Sequence, residues 1–323
     1  MRVFLTVIKN NFLRMLPQKS RFFLFTFLTL GAIITAVFLN NQVETMGSVA
    51  IIGNTSSQVI SERLKVTILE EIPPKSDLVL GKYDAIVLFN DNGDFQVETL
   101  KNKEFENLIS SLIENPRDFQ LANSRKIGSS IIGFMMMFIL MQGNTVMYLF
   151  AQDKEKKQIN RIAASPISFF GYICGHSLFT FMFLLIPSMI ILIGLKYVFA
   201  INLGFGLSSY LFLLVILCAL STVFSLLVYA LVKNSESANM IISASVIITS
   251  VLSGSFFPLD VGNGIVAKLL NVLPQKAYLM VVGLLEEGKD TKFILPYFIY
   301  LLLIIVLFFI ISVFKTKKDY INS

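Results

Sequence analysis

Residues 127–168 read IGSSIIGFMMMFILMQGNTVMYLFAQDKEKKQINRIAASPIS. Ile127–Ala151 contains no Asp, Glu, Lys or Arg, and charge then arrives abruptly at Asp153, Lys154, Glu155, Lys156 and Lys157. About 20 apolar residues in a helix cross the hydrocarbon core of a bilayer. An apolar run of that length, cut off by charge, reads as a helix leaving a membrane. Working outward, similar runs occupy Phe22–Leu39, Phe169–Phe199, Gly206–Val232, Asn239–Phe257 and Ile294–Phe314. The expected fold is therefore an all-α polytopic membrane protein of six transmembrane helices.

Composition agrees. Of 323 residues, 55% are hydrophobic and only 15% charged, and mean hydropathy is +0.72. Soluble domains carry about 25% charged residues, so these charges are too few to coat a water-soluble surface. Trp is absent, which leaves Tyr and Phe for any interfacial belt. Cys174 and Cys218 both lie in apolar runs, and His176 is the single histidine. A disulfide framework and a metal-ligand cluster are excluded on these counts.

The net charge of +6 has a topological explanation. With the N-terminus inside, the inner segments hold 13 basic and 4 acidic residues, and the outer segments hold 14 basic and 17 acidic. The positive-inside rule then places both termini in the cytoplasm. Orientation accounts for the basic residues, so no nucleic-acid partner is expected. The site is expected to be a plasma membrane, crossed several times, in a bacterium, with membrane lipid as surroundings.

Residues 1–21 carry five basic side chains and no acidic ones. Val3, Phe4, Val7, Ile8, Phe12, Leu13 and Leu16 recur at helical spacing, which predicts an amphipathic interfacial helix ended by Pro17. The first span, 22–39, is read as retained rather than cleaved. Residues 40–126 are polar, with net charge −4, and predict an α+β domain outside the cell. Its strand-like runs are Val49–Ile52, Ala85–Phe89 and Phe95–Thr99, and Asp91-Asn92-Gly93-Asp94 forms a turn. Helical patterns occupy Ser57–Leu69 and Phe105–Ile113. Having neither His nor Cys, and only scattered acids, this domain shows no catalytic constellation. Residues 127–314 hold helices 2–6, with a loop at 152–168 and a helix-broken region at 256–293, and 315–323 form a cytoplasmic tail.

Within the loop, Ile159, Ile162 and Ala163 share a helical face, and Pro166 stops the helix. The loop resembles the coupling region of ABC type-2 exporter permeases, which reads roughly E-K-E-R-G-T-L-x-R-L-x-x-S-P-I/V-S. Here it reads D-K-E-K-K-Q-I-N-R-I-A-A-S-P-I-S, with Lys157-Gln158 replacing Gly-Thr and Gly175-His176 where the family often has Gly-Lys. Leu252-Ser253-Gly254-Ser255-Phe256-Phe257-Pro258-Leu259 is similar to the family's L-S-G-x-x-F-P-L, and Leu273-Pro274-Gln275-Lys276-Ala277-Tyr278 to its L-P-x-x-Y.

The resemblance implies a permease that exports cargo. Cytoplasmic ABC ATPase subunits would bind ATP and magnesium, and a second permease subunit would complete a homo- or heterodimer. Asp153, Glu155, Lys156, Arg161, Ser165 and Pro166 are then the candidates for coupling to the ATPase. Ser253, Gly254, Pro258 and Pro274 would shape a re-entrant hairpin before the last helix. Gln142, Asn144 and Thr145 either line a pathway or bond helices together. No G-x-x-x-x-G-K-[ST] occurs, so the chain itself is not expected to hydrolyse ATP or to hold a cofactor. Few ionisable groups fall inside the runs, which suits an amphiphilic or hydrophobic cargo such as a lipid, peptide or drug. The alternative is a non-transporting scaffold or receptor that binds through residues 40–126.

Overall fold

Apolar runs fold as helix because lipid offers no partner for a bare peptide group. The computed structural model describes residues 2–42, 47–52, 64–69, 73–74, 76–89, 95–100, 103–114, 126–158, 169–256 and 265–321. The chain divides into two compact units, Met1–Val37 with Arg125–Ser323, and Phe38–Ser124.

The first unit is helical: α1 (Arg2–Met15), the start of α2 (Lys19–Gln42), α5 (Ile127–Glu155), α6 (Phe169–Tyr197), α7 (Leu207–Leu231), α8 (Ser235–Leu252), α9 (Ile265–Asn271), α10 (Pro274–Glu286) and α11 (Thr291–Ile321). Among the described residues, α5, α6, α7, α8 and α11 are long and apolar enough to cross a membrane. Six crossings were expected; the apolar part of α2, Thr26–Leu39, is shorter than the other five. A 3₁₀ turn containing Pro17 separates α1 from α2.

Helix α5 is the axis of the bundle and packs against α6, α7, α8 and α10. Of its most apolar stretch, 72% is buried, against 11% for α11. The polar Gln142 and Asn144 therefore sit in the helix that neighbours surround. Close packing at Gly143 needs the missing side chain: a Cβ there would lie 2.0 Å from Ser221 Oγ on α7. Ser221 Oγ donates to the Ile139 carbonyl at 2.9 Å.

Two helices stop in the same way. Gly254 has φ +78°, its N–H donates to Val251 O, and Ser255 N–H donates to Ser250 O. Gly288, at φ +68°, ends α10 with the same pair of bonds, to Leu285 O and Leu284 O. These are Schellman terminations, in which a left-handed residue satisfies the last carbonyls. Gly254 of the L-S-G run is thus the stop of α8. Pro274 is the first residue of α10, where a missing N–H costs nothing. The expected turn residue Pro258 lies outside the described residues.

The N-terminus of α5 gets no help from its own cap residue, Lys126. Glu286, the last residue of α10, supplies it instead. Its carboxylate accepts from Gly128 N–H at 2.7 Å, from Ser129 N–H at 2.8 Å, and from the Ser129 hydroxyl. Negative charge is favoured at this pole of a helix.

The second unit carries a four-stranded sheet, in order β2-β1-β3-β4. The strands are β1 (Gly47–Ile52), β2 (Leu64–Leu69), β3 (Ala85–Phe89) and β4 (Phe95–Thr99), with short α3 (Ser76–Val79) and α4 (Lys103–Glu114). Strand β1 runs parallel to β2 and β3, and β4 is antiparallel to β3. One face buries Val49, Ile51, Ala85 and Val87 with Ile109 of α4. The other buries Ala50 and Ile86 with Leu78 and Tyr83. Strand β2 corrects an expectation, since Leu64–Leu69 was assigned to a helical pattern. Its Leu-Lys-Val-Thr-Ile-Leu alternates with period two and includes three β-branched residues, which suits pairing to β1. Asp77 bonds Lys82 at 2.9 Å and holds that exposed ammonium above its ordinary pKa.

Replacing Glu286 by Ala strips the α5 N-terminus of its acceptor and should lower the Tm of the detergent-solubilised chain by about 5 °C. The neighbouring Glu287→Ala should leave it unchanged, as thermal unfolding of the two variants will show.

Candidate functional site

The charged cluster Asp153-Lys154-Glu155 forms the last turn of α5. Successive helical residues point about 100° apart, so three in a row fan over more than half the circumference. Each meets a different neighbour.

Asp153 is 3% exposed. It pairs with Arg14 of α1, whose Nη1 lies 2.9 Å from the carboxylate, and it accepts from Tyr172 OH of α6 at 2.7 Å. His176, one turn further along α6, brings Nε2 to 3.5 Å. The other ring nitrogen, Nδ1, lies 2.9 Å from Asn11 Nδ2 of α1, within hydrogen-bond distance. Helix α1 approaches this closely because of Gly175: a Cβ there would be 2.9 Å from Val7 Cβ. His176 is 2% exposed and stacks edge-on against Tyr172 at 4.6 Å. It is a buried connector between α1 and α5.

Lys154 turns the other way. Its Nζ donates to the carbonyls of Tyr229 (3.1 Å), Ala230 (2.6 Å) and Val232 (3.3 Å), at the end of α7. Those are the carbonyls a helix terminus leaves without partners, at its negative pole. The same ammonium stands 3.7 Å from Asp319, which also pairs with Lys315 at 2.5 Å near the end of α11.

Glu155 meets the start of α8. Its carboxylate accepts from the Ser235 hydroxyl and from Asn234 Nδ2 at 3.4 Å. Asn234 itself caps α8, its Oδ1 accepting from Ser237 N–H at 2.7 Å. The signs match: cation at a helix C-terminus, anion at a helix N-terminus. One turn of α5 thus ties down α1, α6, α7, α8 and α11.

Immediately beyond, Lys156 is exposed and caps α5, and Lys157 adopts φ +53° with its N–H donating to Lys154 O. This is the position at which the resembling motif carries glycine. The left-handed turn is therefore present, built on a residue that pays about 1 kcal/mol for it. Arg161, Ser165 and Pro166 lie outside the described residues.

Further along the bundle, Asn144 bridges three helices. Its Nδ2 donates to Asn239 Oδ1 (2.7 Å) and Ser243 Oγ (3.1 Å) on α8, and its Oδ1 accepts from Tyr229 OH of α7 at 2.6 Å. Thr145 donates back to its own helix at Met141 O, 3.3 Å. Gln142 is buried. At the opposite end Ser253, also buried, donates to Ser250 O at 2.9 Å.

Sequence reasoning singled out Asp153 and Glu155 but missed Arg14, Asn11, Lys154, Tyr172 and Tyr229. One signal was available for α1: Asn11 and Arg14 share a helical stripe with the apolar Val7 and Met15, which is where a buried polar partner would show.

A family model described as ABC-2 family transporter protein matches residues 22–314. No curated protein matches the chain.

Asp153→Asn leaves Arg14 without its counter-ion in a mostly buried place and should cost about 2–3 kcal/mol. Glu155→Gln, at an exposed position, should cost less than about 1 kcal/mol. Lys157→Gly should stabilise the chain by about 1 kcal/mol, whereas Lys157→Ala should not, because alanine shares lysine's penalty at positive φ. Thermal unfolding in one detergent checks all four.

Proposed function

Because the chain belongs to the ABC-2 family of transporters, as the permease component, we propose that it is the membrane half of an exporter driven by a separate cytoplasmic ABC ATPase. The proposed topology counts α2 as a sixth crossing and puts both termini and the Asp153 end of the bundle in the cytoplasm. Residues 40–126 then lie outside the cell. Two permease subunits, identical or not, would form the path, and ATP and magnesium would be held by the ATPase pair.

One observation carries this reading. The loop 152–168 starts from the turn that ties five helix ends together, so a push on the loop reaches the bundle without passing through lipid. Charge-assisted contacts are worth about 1.5–3 kcal/mol each, several times thermal energy. A displacement of the loop is therefore carried by Asp153, Lys154 and Glu155 to α1, α6, α7, α8 and α11. Arg161, Ser165 and Pro166 are assigned to the face that receives the ATPase, and Asp153, Glu155 and Lys156 to its root. The scarcity of ionisable side chains in the spans supports an amphiphilic or hydrophobic cargo, moved outward.

The test begins by purifying the tagged chain from its membranes in mild detergent. An ABC ATPase should come with it, and Arg161→Glu should reduce that association. Lys154→Met should keep the ATPase and its ATP hydrolysis, yet abolish the nucleotide-dependent change in distance between spin labels on α6 and α8. If no nucleotide-hydrolysing subunit accompanies the wild-type chain, or the labels move normally in Lys154→Met, the reading is wrong.

A further inference from the structure

Helices α7 and α11 pack along each other, and Lys154 of α5 marks where both end. Its Nζ is 2.6 Å from the Ala230 carbonyl of α7 and 3.7 Å from Asp319 of α11. The two helix ends therefore stand at one level of the bundle, within a single compact unit. Both show the same order of residue types there, apolar and then basic. On α7, Leu231 is 50% exposed, and Lys233 follows the C-cap residue Val232. On α11, Phe314 is 69% exposed, and Lys315 follows it.

The charges at this corner do not balance. Lys154 directs its three N–H bonds to backbone carbonyls of the α7 terminus. Asp319 bonds Lys315 at 2.5 Å and attracts the Lys154 ammonium, whereas Lys315 and Lys233 both repel it. Lys233 is exposed and has no ion pair among the described residues. Glu155, next along α5, is engaged by Ser235 and Asn234. Three ammonium groups from three helices thus share the carboxylate of Asp319. The positive-inside bias sets how many lysines stand at one end of a bundle; it does not require that lysines of separate helices converge. The opposite end of α11 is mixed in sign: Lys289 faces Glu287 at 4.0 Å, and Asp290 and Lys292 flank Thr291.

We propose that the corner between the ends of α7 and α11 binds an anionic phospholipid, with the phosphate between Lys233 and Lys315 and an acyl chain along Leu231 and Phe314. Lysines placed just past an apolar span reach the phosphate layer of a bilayer. An anionic headgroup supplies the counter-charge that Asp319 provides only in part. A zwitterionic headgroup brings its own cation and supplies less, and a free phosphate ion gains nothing from Leu231 and Phe314. The inference needs only that this end of the bundle meet a bilayer surface, so it stands or falls separately from the transport reading.

The chain contains no Trp, so Leu231→Trp in the full chain reports on this corner alone. Phe293→Trp, exposed near the opposite end of α11, is the control. Each would be reconstituted into phosphatidylcholine vesicles in which a small fraction of the lipid carries brominated acyl chains, as either phosphatidylglycerol or phosphatidylcholine. At Leu231→Trp the brominated phosphatidylglycerol should quench roughly threefold more than the brominated phosphatidylcholine, and at Phe293→Trp the two should quench alike. Adding Lys233→Gln with Lys315→Gln should remove the preference. Lys233→Gln alone, which leaves the Lys315–Asp319 pair in place, should weaken it, and Lys233→Arg should keep it. Equal quenching by the two lipids at Leu231→Trp, an equal preference at Phe293→Trp, or a preference that survives the double substitution overturns the proposal. So does an absence of quenching by either lipid, which means that protein covers the corner. Loss of the preference when inorganic phosphate is added at unchanged ionic strength also overturns it, because the site then takes the bare anion.

Discussion

Helix ends are the difficult part of any membrane bundle. A helix satisfies its own backbone in the middle, but its last carbonyls and first N–H groups need partners from elsewhere. In this protein the difficulty is met by borrowing. Lys154 of α5 serves the end of α7, Glu155 serves the start of α8, and at the opposite end Glu286 of α10 serves the start of α5. Antiparallel neighbours present opposite poles side by side, so consecutive residues of opposite charge fit them in turn. The bundle's connectivity at the Asp153 end depends on that alternation.

The same logic explains where polarity is tolerated. Asn144, Gln142 and Thr145 all sit on α5, the helix most enclosed by protein. There Asn144 finds Asn239, Ser243 and Tyr229 within reach. On α11, little of which is covered by the rest of the chain, comparable groups would find few partners within it, and its run from Ile299 to Ile311 is unbroken aliphatic and aromatic. The bonds that Asn144 makes are those of interhelical attachment.

Much of this was legible from residue order, and the reasons are local. Long apolar runs located α5, α6, α7, α8 and α11, and short strand-like runs located β1, β3 and β4. Strand β2 escaped because Leu64, Ile68 and Leu69 also fit helical spacing when read together with the residues before them. The motif match drew attention to Asp153 and Glu155, but their contacts within the chain were out of reach. Arg14 meets Asp153 across 139 positions and Lys154 meets Ala230 across 76, and no periodicity encodes a pairing between separate helices. The turn at Lys157 shows the reverse: its glycine-like conformation persists although the glycine does not.

The enclosure of α5 also bears on how the chain is made. A segment is released sideways from the translocation channel according to its affinity for hydrocarbon. With serine, glutamine and asparagine along its length, α5 is poorly suited to that partition alone, whereas α6, α7 and α11 are well suited. Its stable residence thus awaits segments synthesised after it, and biogenesis of this protein becomes a matter of retention: the axis is laid down early and kept only once its later-born neighbours close around it.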